Sequence, residues 1–524
     1  MAPIFVGSND DNSRVRSDRV GFAISTSNPG SASEGDAYYN SSDNQLNIYD
    51  GSAWASAGAG GNSVELTASG SISDGQPVII KSDGTVAGVA TVGVAQTFGS
   101  AATYESGATN YIDTVYDSSA KKVVIAYVDY GDSQTLKAVV ATITGNTITY
   151  GTQWQVAADA EWVAMDYDEN AGKILIAWRS GVDNDYGYAI AGTVSGNSIA
   201  FGSGSRFYND GAVSRIDVTY DSNAKKSLIT FVASNKIRSI VATISGTSVS
   251  FGTENDEVLT NNSENLTTTF DRSQNKIVCF YIDNNQSNHG YARVGTISGT
   301  TVSFGSEVEF ENAQVTFLKS VYDPDQQKVV CAYNAGSRRI IVGTVSGDSI
   351  SFGSPLVNAQ TFGNVSMTYH SGAKKIIIFG AGNSDGRVVP VSVVGTSATI
   401  TDSEVTVASY DTQKSRIAYD ANAERVVLAH KHDSNENGAA IAYTPQFARV
   451  NLTANNFLGF SDAAYSDGQT AKIQIAGSID DAQSGLTTAR KFYVQTDGTL
   501  STTADTPSVF AGVGISTTQI IVKG

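Results

Sequence analysis

Ile112-Asp-Thr-Val-Tyr116-Asp117-Ser-Ser-Ala-Lys-Lys122-Val-Val-Ile-Ala-Tyr127 is one copy of a pattern that runs through most of this chain. An apolar stretch ends on an aromatic residue, a polar residue follows, a short turn reaches a cation, and a second apolar stretch begins. The anchors are Tyr116-Asp117, Tyr167-Asp168, Tyr220-Asp221, Phe270-Asp271, Tyr322-Asp323, Tyr369-His370 and Tyr419-Asp420. The closing cations are Lys122, Lys173, Lys226, Lys276, Lys328, Lys375 and Arg425. Successive anchors lie 51, 53, 50, 52, 47 and 50 residues apart. A fixed period of this length marks a solenoid, a propeller or an array.

Each copy parses into four short strands, A to D. Strand A ends at the anchor, whose Asp can accept backbone N–H bonds in the A–B turn. Strand B is apolar on both faces, as in Val123–Tyr127 or Ile174–Trp178, and therefore needs cover on both sides. Its fifth position forms an aromatic column, Tyr127, Trp178, Phe231, Tyr281 and Tyr333, with Gly380 and His430 as the exceptions. That column reads as packing between repeats. Strand C ends in a two-residue turn headed by Gly (Gly145, Gly196, Gly246, Gly299, Gly347 and Gly395), which suits a type II′ hairpin. Strand D follows, as in Thr-Ile-Thr-Tyr-Gly151.

Seven such units predict a seven-bladed β-propeller. One copy is incomplete, because the seventh stops after strand C at Tyr443 while a D-like stretch, Gln96–Gly99, precedes the first. We expect that stretch to complete the last blade and close the ring, leaving few free strand edges.

Composition agrees with an all-β chain. Of 524 residues, 51 are Gly and only eight Pro, and Val, Ile, Thr and Tyr dominate over helix formers. The formal charge of −17 argues against nucleic acid or an anionic membrane surface as principal partner. No apolar run approaches the roughly 20 residues that span a bilayer, so no membrane insertion is expected. The opening Met1–Gly7 lacks the features of a secretory signal, and synthesis in a cytoplasm is expected. Cys279 and Cys331 occupy one position in adjacent repeats and read as reduced, buried hydrophobes.

In a four-stranded blade the A–B and C–D turns share one face and the B–C and D–A loops the other. The first face carries a Lys rim, from Lys121 to Lys375, whereas the B–C loops are acidic, amide-rich and partly aromatic. The chain crosses into and out of the ring on the Lys face, which points the B–C and D–A loops outward, where binding concentrates. The organisation expected is an N-terminal attachment segment with a β-hairpin and linker over 1–61, and the first half of a small β-module over 62–94. The propeller follows over 95–445 and the second half of the module over 446–524.

The flanks carry a family likeness. Gly35-Asp-Ala-Tyr-Tyr-Asn-Ser-Ser-Asp-Asn-Gln-Leu-Asn-Ile-Tyr-Asp-Gly-Ser-Ala-Trp54 resembles a segment frequent in tail-fibre and appendage proteins of tailed bacteriophages, especially marine and cyanobacterial ones. Asn456–Tyr465, Lys491–Leu500 and Ala511–Ser516 look like a β-module common in those proteins, with Ser73–Thr85 as its separated first half. The likeness implies a virion location, a structural role and partners among other virion proteins. It names no ligand. A symmetric homo-oligomer, a trimer, is the arrangement usual for such appendages.

Candidate receptor-binding residues come from the loops: Tyr130, Asp132, Trp154, Asp183, Asp185, Tyr186, His289, Tyr291, Arg338, Asp385 and His432. Exposed aromatics beside Asp and Asn suit sugars, by ring stacking and hydrogen bonding. Trp154 and Trp162 bracket the first D–A loop, and Trp162 reads equally as core. Arg14, Arg16 and Arg19 are candidates for docking an acidic virion partner. The four histidines show no metal-ligand spacing, so neither metal nor cofactor is expected. The sialidase-type turn and arginine cluster are missing, and no enzymatic role is expected, although carboxylates in nearly every loop leave glycoside hydrolysis as a rival. The reading is a tail fibre or adhesin that binds a host-surface glycan or outer-membrane component. A capsid decoration or head-fibre protein and a polysaccharide-degrading enzyme are the alternatives.

Overall fold

A computed structural model of the chain describes residues 23–524, apart from 34–35, 43–44, 50–51, 57–61, 260–262, 359, 361–362, 382–384, 433 and 524. Arg14, Arg16 and Arg19 lie outside the described residues. Contacts divide the chain into two units: Val94–Phe447, and Met1–Gly93 together with Ala448–Gly524. Both are built of β-strands, interrupted among the described residues only by the single 3₁₀ turns Tyr130–Asp132, Gly181–Asp183 and Asn284–Gln286.

Within Val94–Phe447 the repeat folds into seven antiparallel sheets. The first is Thr109–Asp117, Lys122–Asp129, Thr135–Thr144 and Thr147–Tyr150, paired in that order. The first strand of each sheet packs against the first strand of the next, and that of the seventh, Thr412–Asp420, packs against Thr109–Asp117. Sheets radiating from a closed cycle of inner strands make a β-propeller.

The second strands confirm the two-sided cover their sequences demand: Val123 to Val128 are all 0% exposed. Each apolar side chain so buried contributes about 1.5–3 kcal/mol. Tyr127, Phe231, Tyr281 and Tyr333 of the aromatic column are likewise fully buried, and Trp178 nearly so. Cys279 and Cys331 are buried free thiols. His430 stands in the column, fully buried, with Nε2 3.0 Å from the Tyr410 hydroxyl.

The anchor Asp acts as its turn chemistry predicts. Asp221 Oδ1 accepts from the N–H groups of Asn223 and Ala224, both at 2.8 Å, and Asp117, Asp271, Asp323 and Asp420 repeat the arrangement. In the sixth copy His370 takes this place, its Nδ1 accepting from Ala373 N at 3.0 Å. Burial pushes the pKa of that imidazole down to about 4, which keeps it a neutral acceptor.

The outer edge departs from the four-strand reading. Thr147–Tyr150 pairs with the end of the third strand, and a fifth short strand, Trp154–Ala157, pairs with its beginning. The stretch expected to be a D–A loop is therefore partly strand, and Trp154 sits on it. Gly151 explains the break. A Cβ there would lie 1.6 Å from the backbone O of Asn197, in the hairpin turn of the next sheet. Gly202, Gly252, Gly305 and Gly353 meet the following turn in the same way. Each turn wedges into its neighbour's outer edge and splits it.

The seventh sheet takes both outer strands from before the first repeat. Thr97–Phe98 and Ala102–Glu105 pair with Gly438–Thr444, with Phe98 opposite Tyr443. Gly99 meets the backbone of Asn146, and Arg425 donates to Gly145 O at 3.1 Å, so the seventh sheet joins the first as the others join their neighbours.

In the other unit, Ser63–Thr67, Pro77–Ile80 and Val86–Gly88 share one sheet with Phe457–Ser461 and Thr470–Gln474. Segments from both sides of the ring thus hydrogen-bond to each other. A second sheet runs from Ile479 to Val522, and Ile79, Phe460, Phe492, Val494 and Ala511 share a core. Toward the N-terminus, Ala37–Asn40 and Gln45–Tyr49 form the expected hairpin, flanked by Ala23–Ser25 and Trp54–Ser56, with Tyr38 and Trp54 packed edge to face at 4.8 Å.

Candidate binding site at the mouth of the ring axis

The inner strands line an axial channel of about 530 Å³. Its wall is polar and stitched between sheets. Asp113 Oδ2 accepts from Met165 N at 2.7 Å, Asp166 Oδ2 from Tyr220 N at 2.7 Å, and Asp217 Oδ2 from Thr268 N at 2.6 Å. Each carboxylate thereby satisfies a backbone donor of the next inner strand. Asp166 lines the channel, and enclosure by protein raises its pKa to about 7. Asp113 is raised by the same burial, against the pull of Arg416 and Lys319.

At the end where the inner strands begin, their pairing slips. The register shifts between Asn110 and Asp113, between Glu161 and Ala164, between Ser214 and Asp217, between Ser263 and Leu266, between Thr316 and Lys319, and between Gln413 and Arg416. Each slip is a β-bulge. In five of the six, one residue adopts left-handed backbone: Tyr111 (φ 44°), Trp162 (52°), Arg215 (52°), Phe317 (47°) and Lys414 (53°). All five stand five positions before their anchors. For bulky side chains this conformation is strained, and such strain collects at functional sites.

These residues, with Asn265 and Asn364 at the equivalent positions, rim a cavity of about 220 Å³ at the axis. Arg215 lies over the Trp162 ring, 4.5 Å from its centroid, and Tyr111 stands 5.1 Å from the same ring. Phe317 is 43% exposed. Below the rim, Lys319 pairs with Asp217 at 3.1 Å and Arg416 with Asp113 at 3.7 Å. The lining holds four cations (Arg215, Lys319, Lys414, Arg416) and two carboxylates (Asp113, Asp217), a difference of +2 within a chain of −17. Lys414 reaches solvent and has no carboxylate partner among the described residues. Its ammonium is pushed below the usual range by partial desolvation and by Arg416, Lys431 and Arg215.

The loop candidates scatter around this mouth. Tyr130 stands beside the rim, its ring 6.5 Å from that of Tyr111. Asp185 connects to it through Arg179 (3.6 Å), which binds Glu161, which in turn accepts from the Tyr111 hydroxyl at 3.2 Å. Asp132 pairs with Lys137 at 3.1 Å. Asp183 and Tyr186 form a separate group around Arg206, at 3.2 Å and 5.5 Å. His289 and Tyr291 share Glu309, at 2.8 Å and 3.4 Å. Asp385 holds Arg387 at 2.8 Å, and His432 stacks on Tyr410 at 3.7 Å. Trp154, 46% exposed, lies on the outer edge of its sheet, opposite Ala138 and away from Trp162. Arg338 is only 2% exposed and paired with Glu404 at 2.8 Å, so its guanidinium is internal and not presented to a partner.

Sequence reasoning missed Tyr111, Arg215, Phe317 and Lys414. The available signal was positional: counting five residues back from each anchor returns Tyr, Trp, Arg, Asn, Phe, Asn and Lys, a column with no shared chemistry inside an otherwise repetitive strand. Among the described residues no group of three or more His, Cys, Asp or Glu side chains could hold a metal ion.

No protein-family model matches the chain, and no curated protein matches it. Among solved structures, a Dos1 propeller is similar over 67% of this chain and 96% of its own length, at 10% sequence identity and a TM-score of 0.43.

Proposed function

We propose that this chain is a structural protein of a tailed-phage particle, a fibre or other adhesin. Its seven-bladed propeller is inserted in the small β-module and binds a host-surface glycan or outer-membrane component. The N-terminal segment attaches it to other virion proteins, and the chain works as a symmetric homo-oligomer, a trimer. Its role is binding rather than catalysis. The virion assignment rests on the likeness of Gly35–Trp54 and the C-terminal module to phage appendage segments.

One observation carries the binding role. At a fixed backbone position six inner strands bulge, and five of them turn a different large side chain, held in left-handed backbone, toward one axial cup. A scaffold that holds geometry constant while chemistry varies suits recognition.

Antibody labelling of intact particles and a cell-binding assay with the full chain test this. Label at the tail, binding to host cells and competition with phage adsorption are expected. Label on the head without cell binding would favour the decoration or head-fibre reading. Release of reducing sugar from host polysaccharide would favour the enzyme.

A further inference from the structure

We infer that the axial cup binds an isolated or terminal acidic sugar, a pyranose bearing a carboxylate or sulfate, through Lys414 and Arg215 with its ring against Phe317. The inference rests on the reading of the ring as a binding module and names what that module takes.

The charge comes first. The cup is a positive spot of +2, by the count of its lining residues, in a chain of −17. At the base Lys319 pairs with Asp217 and Arg416 with Asp113. Lys414, at the rim, faces Arg215, Arg416 and Lys431 but no carboxylate among the described residues, and of these Lys431 is itself paired with Glu436 at 2.8 Å. An anion at the rim would complete this set, and charge-assisted hydrogen bonds to it are the strong kind.

The aromatic groups then select among anions. Arg215 covers Trp162 and Tyr111 leans on it, which leaves Phe317, 43% exposed, as an open apolar surface beside the cations. Carbohydrate rings have apolar faces that stack on such a surface, whereas inorganic phosphate does not. Size narrows the choice further: about 220 Å³ lies below the roughly 300–1,000 Å³ of pockets for larger ligands and suits one ring with its substituent. Overall charge sets the last limit. A net charge of −17 disfavours long polyanions, so the acidic sugar should be terminal or flanked by neutral ones.

Titration calorimetry with the full chain tests the inference, using sialyllactose, glucuronic acid and galactose 6-sulfate, each beside its neutral counterpart lactose, glucose or galactose. At least one acidic sugar should bind about tenfold or more tightly than its neutral counterpart, more weakly as salt rises. The carboxylated and sulfated probes tell the two anions apart. Lys414→Gln and Phe317→Ser should each weaken binding about tenfold, Lys414→Arg should restore most of it, and Val394→Ser, at a 76% exposed position outside the cup, should leave it unchanged. Equal binding of neutral sugars, no binding of any acidic probe, or full binding by a folded Lys414→Gln chain would overturn the inference. Host-cell adhesion surviving any of those results would leave the adhesin reading standing, while loss of both would sink the two together.

Discussion

The two ends of the same seven inner strands obey opposite rules. At the turn end, the strands finish on an aromatic residue and an Asp or His that caps the following turn, seven times over. At the mouth end, the equivalent position holds Tyr, Trp, Arg, Asn, Phe, Asn and Lys. Both ends have repeating backbone geometry, with five of the seven mouth positions in the left-handed region. The difference lies in what the side chain is for. At the turn a buried acceptor satisfies backbone donors of the turn, a task few residue types perform. At the mouth the backbone is already settled by the bulge and the side chain faces the cup, so chemistry is free to vary.

That contrast is open to direct attack, beginning with the positions where the ring should be least tolerant. Gly151→Val places side-chain atoms on the Asn197 carbonyl and should cost about 3 kcal/mol, read by denaturant unfolding. An unchanged midpoint would mean the turn does not wedge there. Asp221→Ala removes a buried acceptor shared by two turn N–H groups and should cost about 1–2 kcal/mol, whereas Asp221→Asn keeps one acceptor oxygen and should lose less.

Asp166, midway along the channel, gives a pH-dependent reading. Its folded pKa of about 7 lies above the ordinary 3.8, so the folded state holds the proton longer than the unfolded one. Its contribution is fully present below pH 3.8 and is lost as pH rises toward about 7. Asp166→Asn should therefore reduce the fall in Tm between pH 5 and pH 8, by about 2 °C or more. Parallel pH profiles for the two proteins would show that the channel does not protonate this carboxyl. The smallest effect is expected at the mouth: Phe317→Asn, which suits left-handed backbone, should change stability by less than about 0.5 kcal/mol. A loss as large as that of Gly151→Val would erase the distinction between the two ends.

The features legible in the sequence are those with local chemical causes. Asp117 and its equivalents declare a capped turn, Val123–Val128 declare a strand covered on both sides, and Gln96–Gly99 stands out as a stretch missing from the last copy. What escaped depends on neighbours distant in sequence. The outer strands break where Asn197 or its equivalents intrude from the next sheet, and nothing near Trp154 announces that. Bulges are usually betrayed by Gly or Asn in the left-handed position, yet here Tyr111, Trp162, Arg215, Phe317 and Lys414 occupy it. Arg338 looked available in a polar loop because its partner, Glu404, lies 66 residues away.

The last sheet's borrowed strands impose a timetable on synthesis. Gln96, just ahead of the closing strand, leaves the ribosome 347 residues before its partner Tyr443. At about 5–20 residues per second, that is a wait of roughly 20–70 s. Six sheets can form in order during that interval, while the first keeps an unjoined flank and a short strand waits for the end of the ring. Thr97–Phe98 is only two residues long. So brief a waiting strand offers little to a wrong partner, and the circle closes only when its final third strand arrives.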